Sequence, residues 1–204
     1  MRNLVISSLV VFILAWPDAV DAAEKAKVVV HGDISSPLKP RAFADTANLG
    51  IGGGVGLALP LTQQFMILAG VDYTTFGLDD DGFREQNGLP AGSILVGGET
   101  STLYASLGLR ISAPLPGIPI RPYLVGGVGY FRIDPDDVTS DGTTLGFATE
   151  ETTGIHGGGG FDLSFGSYLS IFFDALVIVG FTDVDATGYF PLRAGIIFDI
   201  APDA

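Results

Sequence analysis

Apolar residues alternate with small or polar residues along most of the chain, and the alternation recurs in eight separate blocks. In the clearest block, Asn48–Pro60, the larger apolar residues share one face: Leu49, Ile51, Val55, Leu57 and Leu59. Successive side chains of a β-strand point to opposite faces, so a period of two indicates a strand with one apolar face. The other blocks are Ala26–Ile34, Phe65–Phe76, Ser101–Ser112, Ile120–Arg132, Thr152–Phe165, Tyr168–Phe181 and Tyr189–Ile200.

The connections between these blocks alternate in length. Leu61–Gln64, Ala113–Pro119 and Gly166–Ser167 are short, whereas Ser35–Ala47, Gly77–Thr100 and Ile133–Glu151 are long and Thr182–Gly188 is intermediate. If the first strand leaves the periplasm, every short turn is periplasmic and every longer loop is outside, as in outer-membrane barrels. In lipid, an open sheet edge would leave backbone groups without hydrogen bonds. The sequence therefore predicts an all-β fold, a closed antiparallel up-and-down eight-stranded transmembrane β-barrel.

The apolar face of each block is expected to contact lipid. The opposite faces then place their polar residues inside the barrel: Asp72, Tyr104, Arg110, Arg121, Tyr123, His156, Asp162, Asp174, Arg193 and Asp199. The reverse assignment would place Arg110 and Arg121 in hydrocarbon, at a cost of about 2–4 kcal/mol each near the midplane. The same parity directs the apolar Phe172, Leu176 and Ile178 inward. Aromatic residues near strand ends are expected to form interfacial girdles: Phe65, Phe76, Tyr130, Phe165, Tyr168, Phe181, Tyr189 and Phe198.

The N-terminal segment has the features of an export signal. Arg2 precedes the apolar stretch Leu4–Trp16, which is shorter than the roughly 20 residues of a membrane-spanning helix. Pro17 ends that stretch, and Val20–Ala22 provides small residues for signal peptidase. We predict a cleaved signal peptide at residues 1–22 and a barrel domain at 23–204.

Composition narrows the possible functions. Charged residues form 16% of the chain, against about 25% in ordinary globular proteins. The absence of cysteine excludes thiolate zinc sites and disulfide scaffolds. A net charge of −13 argues against a nucleic-acid partner, because phosphate binding requires clustered Lys and Arg.

Three stretches resemble a known family. Pro122–Tyr130 is similar to a middle strand with Pro-Tyr followed by Gly-Gly-x-Gly-Tyr, and Gly50–Leu59 is similar to a glycine-alternating early strand. The last strand resembles the signal read by the outer-membrane insertion machinery, through Arg193, Gly195, Phe198 and Ile200. Together they resemble the small eight-stranded outer-membrane barrels that include the OmpA transmembrane domain and OmpX. The resemblance implies the insertion machinery as an assembly partner, although the chain continues to Ala204 instead of ending on an aromatic residue.

The inward acids and arginines allow two interpretations. Exchange of ion-pair partners would gate a small conductance, whereas fixed pairs would fill the lumen and set the strand register, because an unpaired buried charge is costly. No enzyme is expected. Lipid A deacylases of similar size have a Ser two residues after a His, but Gly158 follows His156 at that spacing, and no His-Glu-x-x-His pattern is present. No metal or cofactor is expected.

The longer loops are acidic, with Arg84 the only base in the second to fourth of them. Their acidic residues include Asp79, Asp80, Asp81, Asp134, Asp136 and Asp137. Divalent cations would bridge such carboxylates to lipopolysaccharide, since hard cations prefer oxygen ligands. Adhesion to a basic surface and simple hydration of the loops are the alternatives.

These observations predict a monomeric outer-membrane barrel of a Gram-negative bacterium with a structural or surface-interaction role. A small or gated channel for ions or small solutes is the main alternative. Further alternatives are an adhesin, a lipid A-modifying enzyme and a soluble lipocalin-like barrel, which would require apolar residues inside and polar residues outside.

Overall fold

A computed structural model describes residues 26–113, 115, 117–140, 142–166, 168–182 and 185–199. The predicted signal peptide at residues 1–22 lies outside this part of the chain, as does Ile200 of the predicted assembly signal.

Eight long strands form a closed barrel, and every neighbouring pair is antiparallel. These strands are β1 (Lys27–Lys39), β2 (Ala47–Pro60), β3 (Phe65–Leu78), β5 (Thr100–Ser112), β6 (Ile120–Pro135), β9 (Glu150–Phe165), β10 (Leu169–Phe181) and β11 (Ala186–Asp199). Strands adjacent in sequence are neighbours in the barrel, and β1 closes the ring by pairing with β11. The predicted eight-stranded up-and-down barrel is therefore confirmed.

The barrel strands are longer than the sequence pattern indicated at the end that carries the long loops. β1 continues to Lys39 and β6 continues to Pro135, so Asp134, predicted in a loop, lies in β6 instead. The strands have 13 to 16 residues, whereas about 9 to 11 tilted residues cross a bilayer. The additional residues are polar or lack alternation, which is why hydrophobic periodicity did not detect them.

Large apolar side chains cover the outside of the barrel. Ile51 and Leu124 are 71% and 69% exposed, whereas Asp174 on the inner face of β10 is only 7% exposed. Aromatic residues near the short turns are also exposed on this outer face, among them Phe65, Phe165, Tyr168 and Phe198. Two residues expected in the girdles are instead buried inside the barrel.

These two residues are Phe76 and Tyr189, with exposed fractions of 0% and 1%. Each lies near the loop end of its strand, where the sequence position alone suggested an interface. Their backbone parity places them with the inner set, because Phe76 follows Asp72 and Thr74 at intervals of two. The assignment of these two residues to the girdles was wrong because it considered only their position along the strand and not the side of the barrel to which their side chains point.

The long loops contain small elements that the sequence pattern did not predict. They are α1 (Arg41–Thr46), α2 (Asp80–Asn87), β4 (Leu95–Gly97), β7 (Val138–Ser140) and β8 (Thr143–Leu145), and the three short strands form a separate sheet in the order β4-β7-β8. Asp79 caps α2 by accepting hydrogen bonds from the N–H groups of Asp81 and Gly82. Gly88 ends this helix in the left-handed conformation, with φ of 64°. No helix among the described residues is long and apolar enough to cross a membrane.

Candidate functional site

Charged side chains pair inside the barrel near the short turns. Arg110, which is 3% exposed, donates to Asp162, and Arg121 lies 3.7 Å from the same carboxylate. The Arg110 guanidinium also stacks 3.6 Å from the centre of the Tyr123 ring. Such an arrangement offsets the cost of burying each charge, because a guanidinium is stabilised by both a carboxylate and an aromatic face.

A second group of pairs continues from Tyr123 across the barrel. Tyr123 donates to Asp174 at 2.8 Å, and Arg193 binds both oxygens of Asp174 at 2.8 Å. Arg193 also lies 3.5 Å from Asp72, whose carboxylate contacts His31 Nε2 at 2.8 Å. The polar residues from Arg121 to His31 therefore form one connected chain of contacts, which we call the ion-pair ladder.

Three of the predicted lumen residues lie outside this ladder. Asp199 pairs with Lys27 where β1 and β11 meet at the short-turn end, and both side chains are about a quarter exposed. Tyr104 and His156 bond to each other at 2.9 Å between the hydroxyl and Nδ1.

Sequence reasoning missed three ionisable residues of β1 that take part in interior contacts: Lys27, His31 and Asp33. Asp33 is buried and accepts from Ser35 at 2.7 Å. Because these residues alternate with Val28, Val30, Gly32 and Ile34, the period-two pattern carried the necessary signal. The weaker overall hydrophobicity of this block hid it.

Aromatic side chains pack across the interior nearer the long loops. Phe76, Tyr104, Phe131 and Tyr189 are each no more than 1% exposed and form one cluster with Ile133, Ile178 and Phe43. Phe43 belongs to α1, so a helix from the first loop covers this cluster, with its ring centre 5.1 Å from that of Phe76. We call this group the aromatic cluster.

Glycines make space for the large interior side chains. A Cβ atom at Gly180 would lie 2.2 Å from the Phe131 ring, and one at Gly54 would lie 2.6 Å from the His31 ring. Both distances are far shorter than van der Waals contact. Eight strands enclose an interior just wide enough for side chains, so the bulky residues fit only where a neighbouring strand contributes glycine.

The predicted acidic residues occupy several different settings at the loop end. Asp79 is the cap of α2, and Asp80 and Asp81 pair with Arg84 at 3.3 and 2.9 Å. Asp134 binds Arg132 at 2.8 Å, and Asp137 accepts from the N–H of Phe147 at 3.3 Å. Asp136 lines a cavity that Phe43 of the aromatic cluster also lines.

That cavity, which we call the vestibule, lies among the four longer loops and has a volume of about 610 Å³. Its walls include Phe43 of α1, Phe83 of α2 and Phe147 in the loop before β9. Three carboxylate residues also line it, namely Asp136, Glu150 and Asp185. The vestibule is thus lined by both aromatic rings and carboxylates.

The described part of the chain contains no group of three or more His, Asp or Glu side chains arranged to hold a metal ion. Inside the barrel, His156 and His31 each use a ring nitrogen in a hydrogen bond to Tyr104 or Asp72. Two buried polar atoms of the described interior, His31 Nδ1 and Asp162 Oδ1, have no hydrogen-bond partner.

The chain is similar to solved structures of outer-membrane proteins. Neisserial surface protein A aligns with a TM-score of 0.55 at 10% identity, over 86% of this chain and 97% of that one. Ail, the attachment invasion locus protein of Yersinia pestis, aligns with a TM-score of 0.51 at 16% identity, over 86% and 99%. A major outer membrane protein from Thermus thermophilus aligns with a TM-score of 0.50 at 14% identity, over 85% and 98%. No protein-family model and no curated protein matches the sequence.

The chain thus has the fold of the small integral β-barrels of outer membranes, and the family resemblance drawn from the sequence is confirmed at the level of fold. At these identities the similarity concerns architecture, so the role of the protein is argued from its own residues.

Proposed function

We propose that the protein is an integral outer-membrane barrel with a structural and surface-interaction role, a filled lumen and no enzymatic activity. The observation that carries the proposal is the facing of the strands. Exposed apolar side chains surround the barrel, and the paired charges lie inside it. A soluble lipocalin-like barrel would require the opposite arrangement, because it binds an apolar ligand within and faces water outside.

Matched substitutions test the membrane location. Leu124 in β6 and Ile94 at the loop end are almost equally exposed, at 69% and 71%. We expect Leu124→Arg to place a charge in hydrocarbon and cost about 2–4 kcal/mol, whereas Ile94→Arg remains in water and costs little. The two proteins are compared by recovery in the outer-membrane fraction and by heat-modifiable migration on SDS gels.

Closed barrels resist SDS until boiled, so the folded fraction appears as a band of altered mobility. Loss of this band for Leu124→Arg, with retention for Ile94→Arg, supports the proposal. Equal behaviour of the two variants, together with release of the protein among soluble periplasmic proteins, would contradict it.

Two groups of contacts, one beyond the other along the barrel, support the proposal of a filled lumen. The ion-pair ladder occupies the interior near the short turns, and the aromatic cluster occupies it near the long loops. Fixed pairs of this kind also specify strand register, because a shift by one residue would turn every charge toward lipid. This arrangement favours the filling role of the polar residues over the gating role.

A small channel is the second candidate. It is favoured by the continuity of the ion-pair ladder, since the contacts of Arg110, Tyr123, Asp174 and Arg193 connect one side of the interior to the other. Rearrangement of these pairs would create a polar path. Single-channel recording distinguishes the two candidates.

The partners follow from the proposed orientation, in which the short turns face the periplasm and the acidic loops face outward. We propose that the insertion machinery recognises β11, in which Phe198 faces outward, Gly195 faces inward and Arg193 joins the ion-pair ladder. We further propose that lipopolysaccharide contacts the loop end through divalent cations held by exposed carboxylates. We propose that the protein acts as a monomer, since each of the eight barrel strands in the described part of the chain is paired on both sides.

A further inference from the structure

We propose that the vestibule binds an amphipathic organic cation, meaning an apolar body that carries an ammonium group. The proposal identifies a ligand class for the surface-interaction role given above, and it rests on that role only for access from outside. The first support is the size of the vestibule. A volume of about 610 Å³ lies within the range of about 300–1,000 Å³ that is typical of small-molecule sites.

The composition of the vestibule wall specifies the ligand. Phe43, Phe83 and Phe147 line it with aromatic rings, and Leu78 and Ile133 line it with aliphatic side chains. An apolar body would gain free energy by leaving water for this surface. Aromatic faces also attract organic cations, and quaternary ammonium groups are recognised in this way.

The charged residues that line the vestibule are all acidic. Asp136, Glu150 and Asp185 line the vestibule, and no Lys, Arg or His is among its lining residues in the described part of the chain. Arg84 and Arg132 do not neutralise these carboxylates, because Arg84 pairs with Asp80 and Asp81, and Arg132 pairs with Asp134. Lys39 and Arg41 adjoin the lining residues Pro40 and Ala42 in sequence but do not line the vestibule themselves. An anionic ligand would be repelled, whereas an ammonium group would neutralise part of the wall.

The shape of the vestibule is fixed by contacts within the loops. Helix α2 is capped at Asp79 and its Arg84 donates to the carbonyl of Ser93, which fixes the second loop. Phe43 and Phe83, on α1 and α2, are both buried, so the two helices present their rings from packed positions. Such preorganisation lowers the entropy that is lost when a ligand binds.

The test uses dansylcadaverine, a fluorescent amphipathic amine, with its N-acetylated derivative as the uncharged control. The protein is refolded into nanodiscs of zwitterionic lipid, and empty nanodiscs are used to subtract partition of the probe into lipid. We expect saturable binding with increased and blue-shifted dansyl emission, and at least tenfold weaker binding of the acetylated probe.

Two triple variants with the same change in net charge localise the site. Asp136→Asn, Glu150→Gln and Asp185→Asn remove the carboxylates of the vestibule, and we expect the dissociation constant to rise at least tenfold. Asp45→Asn, Glu85→Gln and Glu151→Gln remove loop-end carboxylates that do not line it, and we expect a change below twofold. Heat-modifiable migration verifies that both variants are folded.

Equal weakening by the two triple variants would overturn the proposal, because it would indicate attraction to the general surface charge. Tight binding of the acetylated probe would overturn it in favour of an apolar site, and absence of saturable binding to the folded wild-type protein would overturn it altogether. None of these results would alter the fractionation and gel behaviour expected for an outer-membrane barrel, so failure here is distinguishable from failure of the proposed function.

Discussion

The ion pairs of the barrel are expected to differ in how much each contributes to stability. Arg110 and Asp162 are both almost completely buried, so removal of the Asp162 charge by Asp162→Asn leaves a guanidinium without its close carboxylate. We expect a loss of about 3–5 kcal/mol in the free energy of unfolding, as for other broken buried pairs. Asp199→Asn breaks the partly exposed pair with Lys27 and is expected to cost less than about 1 kcal/mol.

Urea unfolding of the two variants in lipid bilayers measures both losses. Losses of similar size would show that the interior is hydrated enough to screen the Arg110 charge.

A glycine inside the barrel is required by the size of its neighbour. Gly180→Ala would bring a Cβ within 2.2 Å of the Phe131 ring, and we expect a loss of about 1–3 kcal/mol from overpacking. Gly126→Ala is the control, because it faces outward and its Cβ would lie 3.6 Å from the nearest atom. Adding Phe131→Leu to Gly180→Ala should restore part of the stability, and a double-mutant cycle measures this coupling. Additive losses in the cycle would contradict the steric explanation.

At the scale of secondary-structure elements, the sequence predicts those with a long alternating pattern and does not predict the short ones. The eight barrel strands alternate over nine or more residues, so their number, facing and order could be derived from the sequence. β4, β7 and β8 have three residues each, which is too few to establish a period. α2 is short and polar and contains Gly82, so its sequence signals are confined to its ends, at Asp79 and Gly88.

The same contrast applies to the candidate sites. Residues of the ion-pair ladder could be predicted, because parity alone assigns a charge to the interior. The pairing of Arg110 with Asp162, or of Arg193 with Asp174, depends on register between strands that are distant in sequence. The vestibule could not be predicted either, since its walls come from four loops whose packing has no periodic signal.

The cap of α2 provides a test at the element scale. Asp79→Ala removes the acceptor for two N–H groups and should destabilise the helix by about 0.5–2 kcal/mol. We expect faster cleavage by trypsin after Arg84 in protein held in intact vesicles. Asp80→Ala is the control, because Arg84 keeps its contact with Asp81, and it should leave the rate nearly unchanged. Equal rates for Asp79→Ala and the wild type would show that the loop is ordered by other contacts.

At the scale of the whole molecule, acidic residues are concentrated at the end with the long loops. If divalent cations connect this end to lipopolysaccharide, EDTA should reduce the lipopolysaccharide retained by the purified protein, and added Mg²⁺ should restore it. Neutralising the exposed Asp80, Asp81, Asp136 and Asp137 should abolish the effect of EDTA. Retention that is insensitive to EDTA would indicate direct binding to the barrel wall.

Ions that cross the barrel would have to pass both the aromatic cluster and the ion-pair ladder. Conductance measurements therefore test whether the two together close the lumen. The wild-type protein should be silent in planar bilayers, because the aromatic cluster and the ion-pair ladder each occupy the lumen. The double variant Phe131→Ala with Tyr189→Ala opens only the aromatic cluster. The double variant Arg110→Ala with Asp162→Ala removes only one charge pair of the ion-pair ladder and leaves the net charge unchanged. We expect each pair alone to leave the barrel silent.

The four substitutions together should produce discrete conductance steps, because the larger of two resistances in series limits the current and both barriers must be lowered before ions pass. Heat-modifiable migration is the control for folding of each variant. Spontaneous steps in the wild-type protein would favour the channel instead. Steps in the charge-pair variant alone would show that the aromatic cluster leaves a path for ions, and the ladder would then be the gate.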